Sequence, residues 1–225
     1  MASPDQCASL TWRDDVIPVS TRFDDPYFSL GGGLAETRHV FLGGNDLPAR
    51  FRPGFHVAEL GFGTGLNMLA TLIAWREAGI AGVLRYTSFE AYPMTADDMA
   101  RALAAFPDAL AVAGPLLDQW AAGARRITLP DLEAAIIIGD AGTTLDTWSG
   151  AADAWYLDGF SPAKNPELWT EALMQSVARH TKPGGTFATY TAAGHVRRSL
   201  AEAGFAVERR AGFGRKRHMS AGVLV

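Results

Sequence analysis

Short apolar runs alternate with helical patterns of apolar residues from residue 56 to the end of the chain. Runs typical of buried strands lie at 57–60, 83–90, 126–129, 134–138, 154–157, 186–190, 205–209 and 219–224. Helical spacing of apolar residues marks 66–78, 95–106, 167–180 and 196–203. Alternation of strands and helices predicts a doubly wound, mostly parallel α/β sheet. The last two strands have no helix between them, so they predict an antiparallel hairpin at the sheet edge.

Residues 1–55 lack this alternation and look irregular. We therefore expect an N-terminal extension, 1–55, packed on a Rossmann-like catalytic domain, 56–225. Within that domain, we expect Pro183-Gly184-Gly185 to end the predicted helix 167–180.

A glycine-rich loop follows the first strand of the predicted sheet. Its glycines occupy alternate positions between a strand-terminal carboxylate and a helical pattern, in the order Glu59-Leu60-Gly61-Phe62-Gly63-Thr64-Gly65-Leu66-Asn67. Glycines let a ligand approach the backbone closely, and the following helix N-terminus offers free N–H groups. The spacing resembles the first motif of class I S-adenosylmethionine-dependent methyltransferases and differs from the G-x-G-x-x-G of nicotinamide enzymes. A dinucleotide fold and a purely structural turn stay open as interpretations of the loop alone.

Acidic residues end three further strands of the predicted sheet. In doubly wound sheets ligands bind at the carboxyl ends of the strands, so Glu59, Glu90, Asp140 and Asp158 are expected around one crevice. Glu90 suits the two hydroxyls of a ribose, a use shared by nicotinamide and S-adenosylmethionine enzymes. Asp140, followed by Ala141, could accept a hydrogen bond from an adenine amino group, cap a helix, or do both.

The segment after Asp158 is constrained by one glycine and two prolines in the run Asp158-Gly159-Phe160-Ser161-Pro162-Ala163-Lys164-Asn165-Pro166. A loop this constrained is more often a site than a spacer. Phe160 could line the cofactor site or stack on a base, with ordinary core packing as the alternative. Lys164 could contact a phosphate, with a solvated surface charge as the alternative.

Composition limits the class of protein. The 225 residues are 48% hydrophobic and 20% charged, which suits one globular domain. No apolar run approaches the roughly 18 residues of a membrane span, and the first residues lack a secretory pattern. Cys7 is the single cysteine, which excludes an internal disulfide and a multi-cysteine metal site. We expect a cytoplasmic protein with no metal and no membrane contact.

Charge is distributed unevenly along the chain. The net charge is −4, yet the part from His195 onward carries seven Lys or Arg against Glu202 and Glu208. A local basic patch matters more than the total charge for binding a polyanion. The candidate phosphate contacts are Arg197, Arg198, Arg215, Lys216 and Arg217. A solvated surface, or pairing with the two glutamates, is the alternative.

Several blocks together carry a more specific resemblance, which extends from about residue 18 to the end of the chain. They include Phe23-Asp24-Asp25-Pro26-Tyr27-Phe28-Ser29, Gly33-Leu34-Ala35-Glu36-Thr37-Arg38, Phe41-Leu42-Gly43-Gly44-Asn45 and the segments 59–67, 153–169, 191–198 and 212–217. The chain resembles the bacterial tRNA 5-methylaminomethyl-2-thiouridine methyltransferases. The resemblance implies a class I methyltransferase fold with a seven-stranded sheet and an antiparallel C-terminal hairpin.

The resemblance also implies an activity: methyl transfer from S-adenosylmethionine to the 5-aminomethyl group of the wobble uridine, in the anticodon arm of tRNA. Asp158 is then the candidate catalytic residue. The cofactor-binding candidates are Glu59, Gly61, Phe62, Gly63, Thr64, Gly65, Asn67, Glu90, Asp140, Ala141, Asp158 and Phe160. Tyr27, Phe28, Phe160 and Lys164 join the basic patch as substrate-binding candidates.

Other functions stay open. In this family a flavin-dependent oxidase domain often follows, and we expect such an oxidase to act upstream, outside this chain. The alternatives are a methyltransferase for a small-molecule or protein amine, a dinucleotide-dependent oxidoreductase, and an RNA-binding protein with a relic cofactor fold.

Overall fold

The computed structural model describes residues 7–29 and 32–225. Its strands are β1 (Leu10–Arg13), β2 (Ile17–Ser20), β3 (Asp25–Pro26), β4 (His56–Leu60), β5 (Leu84–Glu90), β6 (Arg126–Leu129), β7 (Leu132–Ile138), β8 (Ala152–Leu157), β9 (Thr181–Thr189), β10 (Phe205–Ala211) and β11 (His218–Leu224). Its α-helices are α1 (Gly33–Thr37), α2 (Leu66–Glu77), α3 (Ala96–Leu103), α4 (Pro107–Ala121), α5 (Ala141–Thr147), α6 (Glu171–Arg179) and α7 (Gly194–Glu202). A π-helical segment covers Arg38–Gly43, and a 3-10 helix covers Pro166–Trp169.

The central sheet has the order β10-β11-β9-β8-β4-β5-β7-β6. The five strands from β9 to β7 in that order are parallel. The C-terminal pair β10 and β11 forms an antiparallel hairpin at one edge, as the sequence predicts. The eight apolar runs of the sequence all form strands of this sheet, whereas the seven strands implied by the family resemblance are one too few, because β6 pairs antiparallel with β7 at the opposite edge. The doubly wound α/β class is confirmed.

The prediction that residues 1–55 are irregular is wrong for the part that the structure describes. Strands β1, β2 and β3 form a separate antiparallel sheet, and α1 continues into the π-helical segment. Strands of four, four and two residues are too short for a clear period in the sequence. Residues 1–6, on which the expected lack of a secretory signal rests, lie outside the described part. The division between 1–55 and 56–225 stays a prediction.

Helix α4 is an element that the apolar pattern does not reveal. Its buried face consists of Ala109, Ala113, Leu116 and Trp120, and two of these are too small to give a strong periodic contrast. Pro107 occupies the first turn, where its missing N–H costs no hydrogen bond. The indole of Trp120 donates to the carbonyl oxygen of Met94 at 2.9 Å, which ties the helix to the segment before α3.

The predicted helix 167–180 is divided in two. Thr170 lies between the 3-10 helix and α6, and its hydroxyl accepts a hydrogen bond from the Leu173 N–H at 3.3 Å. Side-chain capping of this kind favours a new helix start. Pro183-Gly184-Gly185 then lies inside β9, where the pairing register with β8 shifts.

Two apolar clusters enclose the sheet. One joins β4, β5 and β7 to α2, α4 and the π-helical segment, and the other joins the sheet to α5, α6 and α7. Within the described residues, no helix combines the length and apolar character needed to cross a bilayer. Cys7, the single cysteine of the sequence, is exposed.

A buried carboxylate ties together the amino ends of three strands, on the side opposite the glycine loop. Asp153 accepts from Arg52 at 2.6 Å, from Lys182 at 2.7 Å and from the backbone N–H of His56 at 2.8 Å. Burial alone would raise the pKa of Asp153, but the hydrogen bonds from Lys182 and Arg52 lower it below its ordinary value. The ionised carboxylate therefore stabilises the fold.

We expect Asp153→Asn to lower the free energy of unfolding by about 1–3 kcal/mol at pH 7, the scale of hydrogen bonds to a charged group. Because the pKa of Asp153 is lowered in the folded state, this contribution is present above about pH 4 and is lost as pH falls through the folded pKa. Urea unfolding at pH 7 and pH 3 measures it. Asp108→Asn, which breaks an exposed 3.6 Å pair with Arg38, is the control and should cost less than about 1 kcal/mol. Equal losses at the two pH values would contradict the assignment.

Candidate active site

A cavity of about 740 Å³ lies at the carboxyl ends of β4, β5, β7 and β8. This volume is within the range of small-molecule and cofactor sites, roughly 300–1,000 Å³. Its walls combine the glycine loop, the segment after β8 and residues of the N-terminal part such as Tyr27 and Phe28. The position is the one expected for a ligand in an open α/β sheet.

The three alternate glycines have left-handed backbone conformations, with φ of 89° at Gly61, 53° at Gly63 and 78° at Gly65. At Gly61 a Cβ would overlap the carbonyl oxygen of Asp158. At Gly63 a Cβ would lie 3.2 Å from the ring of Tyr27. The glycines are therefore required first for contacts within the protein, rather than for the approach of a ligand as the sequence pattern suggests. Thr64, like Gly61 and Gly63, lines the cavity, whereas Gly65 does not.

Glu90 joins the end of β5 to the glycine loop. Its Oε2 accepts from the N–H of Gly63 at 3.0 Å, and its Oε1 accepts from the N–H of Tyr92 at 2.7 Å. Burial raises the pKa of Glu90, and the backbone hydrogen bonds oppose that change. The Glu90 side chain lines the cavity.

A hydrogen-bonded network joins two buried carboxylates. The Asn67 amide donates to Glu59 Oε1 at 2.8 Å and to Asp158 Oδ2 at 2.7 Å, and its oxygen accepts from Thr37 at 2.8 Å. Ser88 donates to the other oxygen of Glu59 at 2.8 Å. Asn67 therefore sets the distance between two groups that would repel each other if both were ionised.

Burial dominates the acidity of both carboxyls in this network. It raises the pKa of Glu59 to about 8, although the Asn67 hydrogen bond opposes the change. Burial also raises the pKa of Asp158 to about 7, against the opposing effects of the Asn67 hydrogen bond and the Lys216 ammonium. Asp158 lines the cavity and can therefore exchange a proton with a ligand near neutral pH.

Glu59 requires a correction as a cofactor contact. Its side chain is fully buried and lies behind the cavity wall, with one oxygen held by Asn67 and the other by Ser88. Its place in the structure is to orient Asn67. Asn67 and Phe62 line the cavity, as expected of cofactor contacts.

Asp140 and Ala141 lie at the cavity mouth where β7 leads into α5. Asp140 occupies the N-cap position, but its side chain makes no capping hydrogen bond. The exposed Asp140 carboxylate is thus available to a ligand. The alternative interpretation, in which this side chain caps the helix, is not what the structure shows.

Aromatic side chains form one wall of the cavity. The Phe160 ring lies 4.9 Å from that of Phe23 and 4.9 Å from that of Tyr27, between ring centroids. Phe28 packs edge-to-face on Phe106 at 4.8 Å. Phe160, Tyr27 and Phe28 all line the cavity, so Phe160 is not ordinary core.

The two lysines predicted as phosphate contacts form ion pairs with carboxylates. Lys164 is not free, because it contacts the carbonyl oxygen of Asp24 and pairs with the carboxylates of Asp24 at 3.2 Å and Asp25 at 3.7 Å. Lys216 lines the cavity, unlike the four arginines of the basic patch, and it donates to Glu36 at 2.7 Å. Lys164 with Asp24 and Lys216 with Glu36 join segments 140 and 180 residues apart, which local sequence patterns do not reveal.

The four arginines of the predicted patch stay outside the cavity. Arg198, Arg215 and Arg217 are exposed, and Arg197 is half-buried with its Nε donating to the Ala192 carbonyl oxygen at 3.3 Å. Among the residues described by the structure, none of the four forms an ion pair. Glu208 pairs instead with Arg210, which also pairs with Asp46 at 3.4 Å.

Several residues that the sequence does not mark as site residues also line the cavity, among them Glu36 and Tyr190. Tyr190 donates through its hydroxyl to the Gly159 carbonyl oxygen at 2.7 Å. Glu36 lies inside one of the blocks that carry the family resemblance, which is the only signal that singles it out. No group of three or more His, Cys, Asp or Glu in the described part of the chain is placed to hold a metal.

Comparison with known proteins decides which cofactor this cavity serves. The model of a family described as S-adenosyl-L-methionine-dependent methyltransferase matches residues 108–225, more than half of the chain. The chain belongs to this methyltransferase family. The alternative of a dinucleotide-dependent oxidoreductase is therefore wrong.

Individual relatives of this methyltransferase carry a more specific name. The tRNA 5-methylaminomethyl-2-thiouridine biosynthesis bifunctional protein MnmC of Caulobacter sp. (strain K31) is 50% identical over 221 residues, which cover 92% of this chain and 37% of the relative. The protein of the same name from Aeromonas hydrophila is 46% identical over 232 residues, covering 96% of this chain and 35% of the relative. The chain thus spans little more than a third of the length of these relatives.

A solved structure supports the fold of the methyltransferase. The crystal structure of MNMC2 from Aquifex aeolicus superposes with a TM-score of 0.75 at 23% identity, covering 98% of this chain and 72% of that one.

The cavity of the methyltransferase fits S-adenosylmethionine. We infer that Glu90, which ends β5 and lines the cavity, receives the ribose hydroxyls, and that the uncapped Asp140 receives the adenine amino group. Asn67 lines the cavity and is a further polar candidate, whereas the N–H groups of the three loop glycines already donate within the protein.

We expect Glu90→Ala to weaken binding of S-adenosylhomocysteine by about 1.5–3 kcal/mol, roughly 10- to 150-fold, because it removes hydrogen bonds to a charged group. Isothermal titration measures the affinity. Glu77→Ala removes an exposed carboxylate at the end of α2, far from the cavity lining, and should leave the affinity unchanged. If the two variants bind equally well, Glu90 does not contact the cofactor.

Proposed function

We propose that this methyltransferase methylates the primary amine of a 5-aminomethyl group on the wobble uridine of tRNA, giving 5-methylaminomethyl(-2-thio)uridine. The relatives at 46–50% identity carry a name that specifies this modification of tRNA. The observation that carries the reaction class is Asp158, a half-buried carboxyl that lines the cavity and whose pKa desolvation raises to about 7.

The chemistry requires a neutral amine. S-adenosylmethionine supplies a methyl group on a positively charged sulfur, so the protein has no covalent step of its own. An alkyl amine resembles lysine, with a pKa near 10.4, and is mostly protonated at neutral pH. Burial in the cavity lowers the pKa of such an amine, whereas the Asp158 carboxylate raises it. Asp158 binds the ammonium, accepts its proton and leaves the nitrogen lone pair free to attack.

Positioning supplies much of the remaining acceleration. Holding two reacting groups in line at roughly 3 Å converts an encounter between molecules into a step within one complex. Asp158 is fixed for this role, because its carboxylate is held by Asn67 and its backbone N–H donates to the Leu60 carbonyl oxygen at 3.1 Å. The wall of Phe160 and Tyr27 offers flat apolar surface on which a uracil ring stacks.

The RNA contacts are revised by the ion pairs described above. Lys164 and Lys216 are engaged with carboxylates, which leaves Arg197, Arg198, Arg215 and Arg217 as the phosphate contacts. Phosphate contacts orient an RNA without reading its sequence. Arg197 and Arg198 lie on α7, and Arg215 and Arg217 lie in the loop between β10 and β11 that also carries Lys216.

The substrate class is tested by offering labelled S-adenosylmethionine and three acceptors: tRNA from a strain blocked before this step, the same tRNA with its amines acetylated, and a set of small primary amines. We expect label only in the first. Label in the acetylated tRNA would contradict an amine acceptor, and efficient label in the small amines would favour the alternative of a small-molecule methyltransferase.

We expect Asp158→Asn to lower kcat by about 10²–10⁴, the usual contribution of general acid–base catalysis, while the affinity for S-adenosylhomocysteine changes little. Because the pKa of Asp158 is raised by burial, the wild-type rate should fall as pH drops below about 7. For the same reason the buried charge destabilises the fold at neutral pH, so the variant should unfold at the same or a higher temperature. Near wild-type turnover in the variant would exclude Asp158 from catalysis.

We expect Arg215→Ala with Arg217→Ala to weaken tRNA binding similarly for all tRNAs. For each phosphate that is no longer neutralised, the log–log slope of affinity against salt should flatten by about 0.7–0.9. The matched control is Arg125→Ala with Arg126→Ala, two adjacent arginines outside the cavity lining. Filter binding across a salt series measures both. An unchanged slope in the first variant would place the RNA on another face.

A further inference from the structure

Lys216 is carried into the cavity by the tight loop between β10 and β11. The Gly212 N–H donates to the Arg217 carbonyl oxygen at 3.2 Å, and the Lys216 N–H donates to the Phe213 carbonyl oxygen at 3.0 Å. A Cβ on Gly212 would overlap the carbonyl group of Lys216. This closed loop separates its three basic residues, because Lys216 lines the cavity while Arg215 and Arg217 do not.

The Lys216 ammonium is held at two points. It donates to Glu36 Oε1 at 2.7 Å, and it lies 4.1 Å from the centroid of the Tyr190 ring. The second oxygen of Glu36 accepts from Ser29 at 2.8 Å, and the Glu36 side chain is only 13% exposed. Contacts from Glu36 and Tyr190 thus hold the half-exposed Lys216 ammonium at the cavity wall.

This charge acts on the group that we propose to accept the proton. Lys216 lowers the pKa of Asp158 more than Glu36 raises it, so the pair has a net positive effect at that carboxyl. The other titratable groups that interact electrostatically with Asp158 are negative or neutral: Glu59, Tyr86 and Tyr190.

We propose that Lys216, held by Glu36 above the ring of Tyr190, is a positioning residue whose fixed positive charge keeps the acceptor amine neutral and the Asp158 carboxylate ionised. The acceptor part of this proposal rests on the proposed function. A like charge near an ammonium favours loss of its proton, and the same charge opposes protonation of Asp158. Asp158 is therefore ionised when the ammonium arrives, accepts its proton and passes that proton to solvent, so that the amine and Asp158 together hold fewer protons at neutral pH than they would beside an uncharged side chain.

The first test needs no RNA. Carbon-13 labelling of aspartate side chains allows the Asp158 carboxyl to be titrated by NMR, with the signal assigned by its disappearance in Asp158→Asn. We expect Lys216→Met to raise the titration midpoint by about 0.5–1 pH unit, since the positive charge that lines the same cavity as Asp158 is removed. Lys216→Arg should keep the wild-type midpoint. A midpoint that stays in place in Lys216→Met would overturn the proposal.

The second test follows the reaction. The acidic limb of kcat against pH, at saturating tRNA, should move to higher pH in Lys216→Met by the same amount and return in Lys216→Arg. Arg215→Met removes a charge one residue away that does not line the cavity, so it should raise KM and flatten the salt dependence without moving the limb. If Lys216→Met behaves like Arg215→Met, Lys216 is a phosphate contact and the proposal is wrong.

The two tests separate this proposal from the function on which it rests. If the wild-type protein transfers no methyl group to tRNA amines, the proposed function fails, and the NMR titration still decides whether Lys216 controls the charge of Asp158.

Discussion

The close approach of the ends of β4 and β8 is the constraint on which the site depends. Only a glycine fits at residue 61, because any side chain would overlap the carbonyl oxygen of Asp158. The Asp158 N–H donates to the Leu60 carbonyl oxygen at 3.1 Å and joins the ends of β8 and β4, while the Gly61 N–H donates to the Phe89 carbonyl oxygen at 2.9 Å and joins β4 to β5. Strands β4 and β8, which lie far apart in the sequence, are neighbours in the sheet. Asp158 therefore lies within hydrogen-bond distance of Asn67.

Asn67 links the two carboxyl groups that this proximity brings together. One amide donates to two buried carboxylates, Glu59 and Asp158, so the two groups are separated and oriented at once. Burial raises the pKa of Glu59 to about 8 and that of Asp158 to about 7. Asp158 can therefore gain or lose a proton near neutral pH. The arrangement is costly for stability, since buried carboxylates destabilise a fold unless they are paired. Asp153 shows the opposite solution at the far end of the sheet, where two cations lower its pKa.

The sequence predicts the parts of this protein that have a local signal. Alternating strands and helices, the glycine loop and the acids at the strand ends all follow from periodicity and spacing, and the structure brings Glu90, Asp140 and Asp158 to one cavity. Glu59 shares the same local signal, yet it points behind the wall. A strand-terminal position fixes where a side chain begins but not which side of the loop it faces.

The remaining features depend on contacts between distant segments. The ion pairs of Lys164 with Asp24 and of Lys216 with Glu36 join positions 140 and 180 residues apart. A basic residue in a charged run gives no indication of such a partner, so both lysines look like surface charges in the sequence. The short strands of the N-terminal part and the alanine-rich face of α4 are missed for a different reason, because their apolar periodicity is weak.

The most direct test of the site is a crystal structure of the protein with S-adenosylhomocysteine. We expect the ribose hydroxyls on Glu90, the adenine amino group beside Asp140, and the sulfur facing the space between Asp158 and Phe160. A cofactor bound with its adenine against Asp158, or outside the cavity that these residues line, would contradict the assignment.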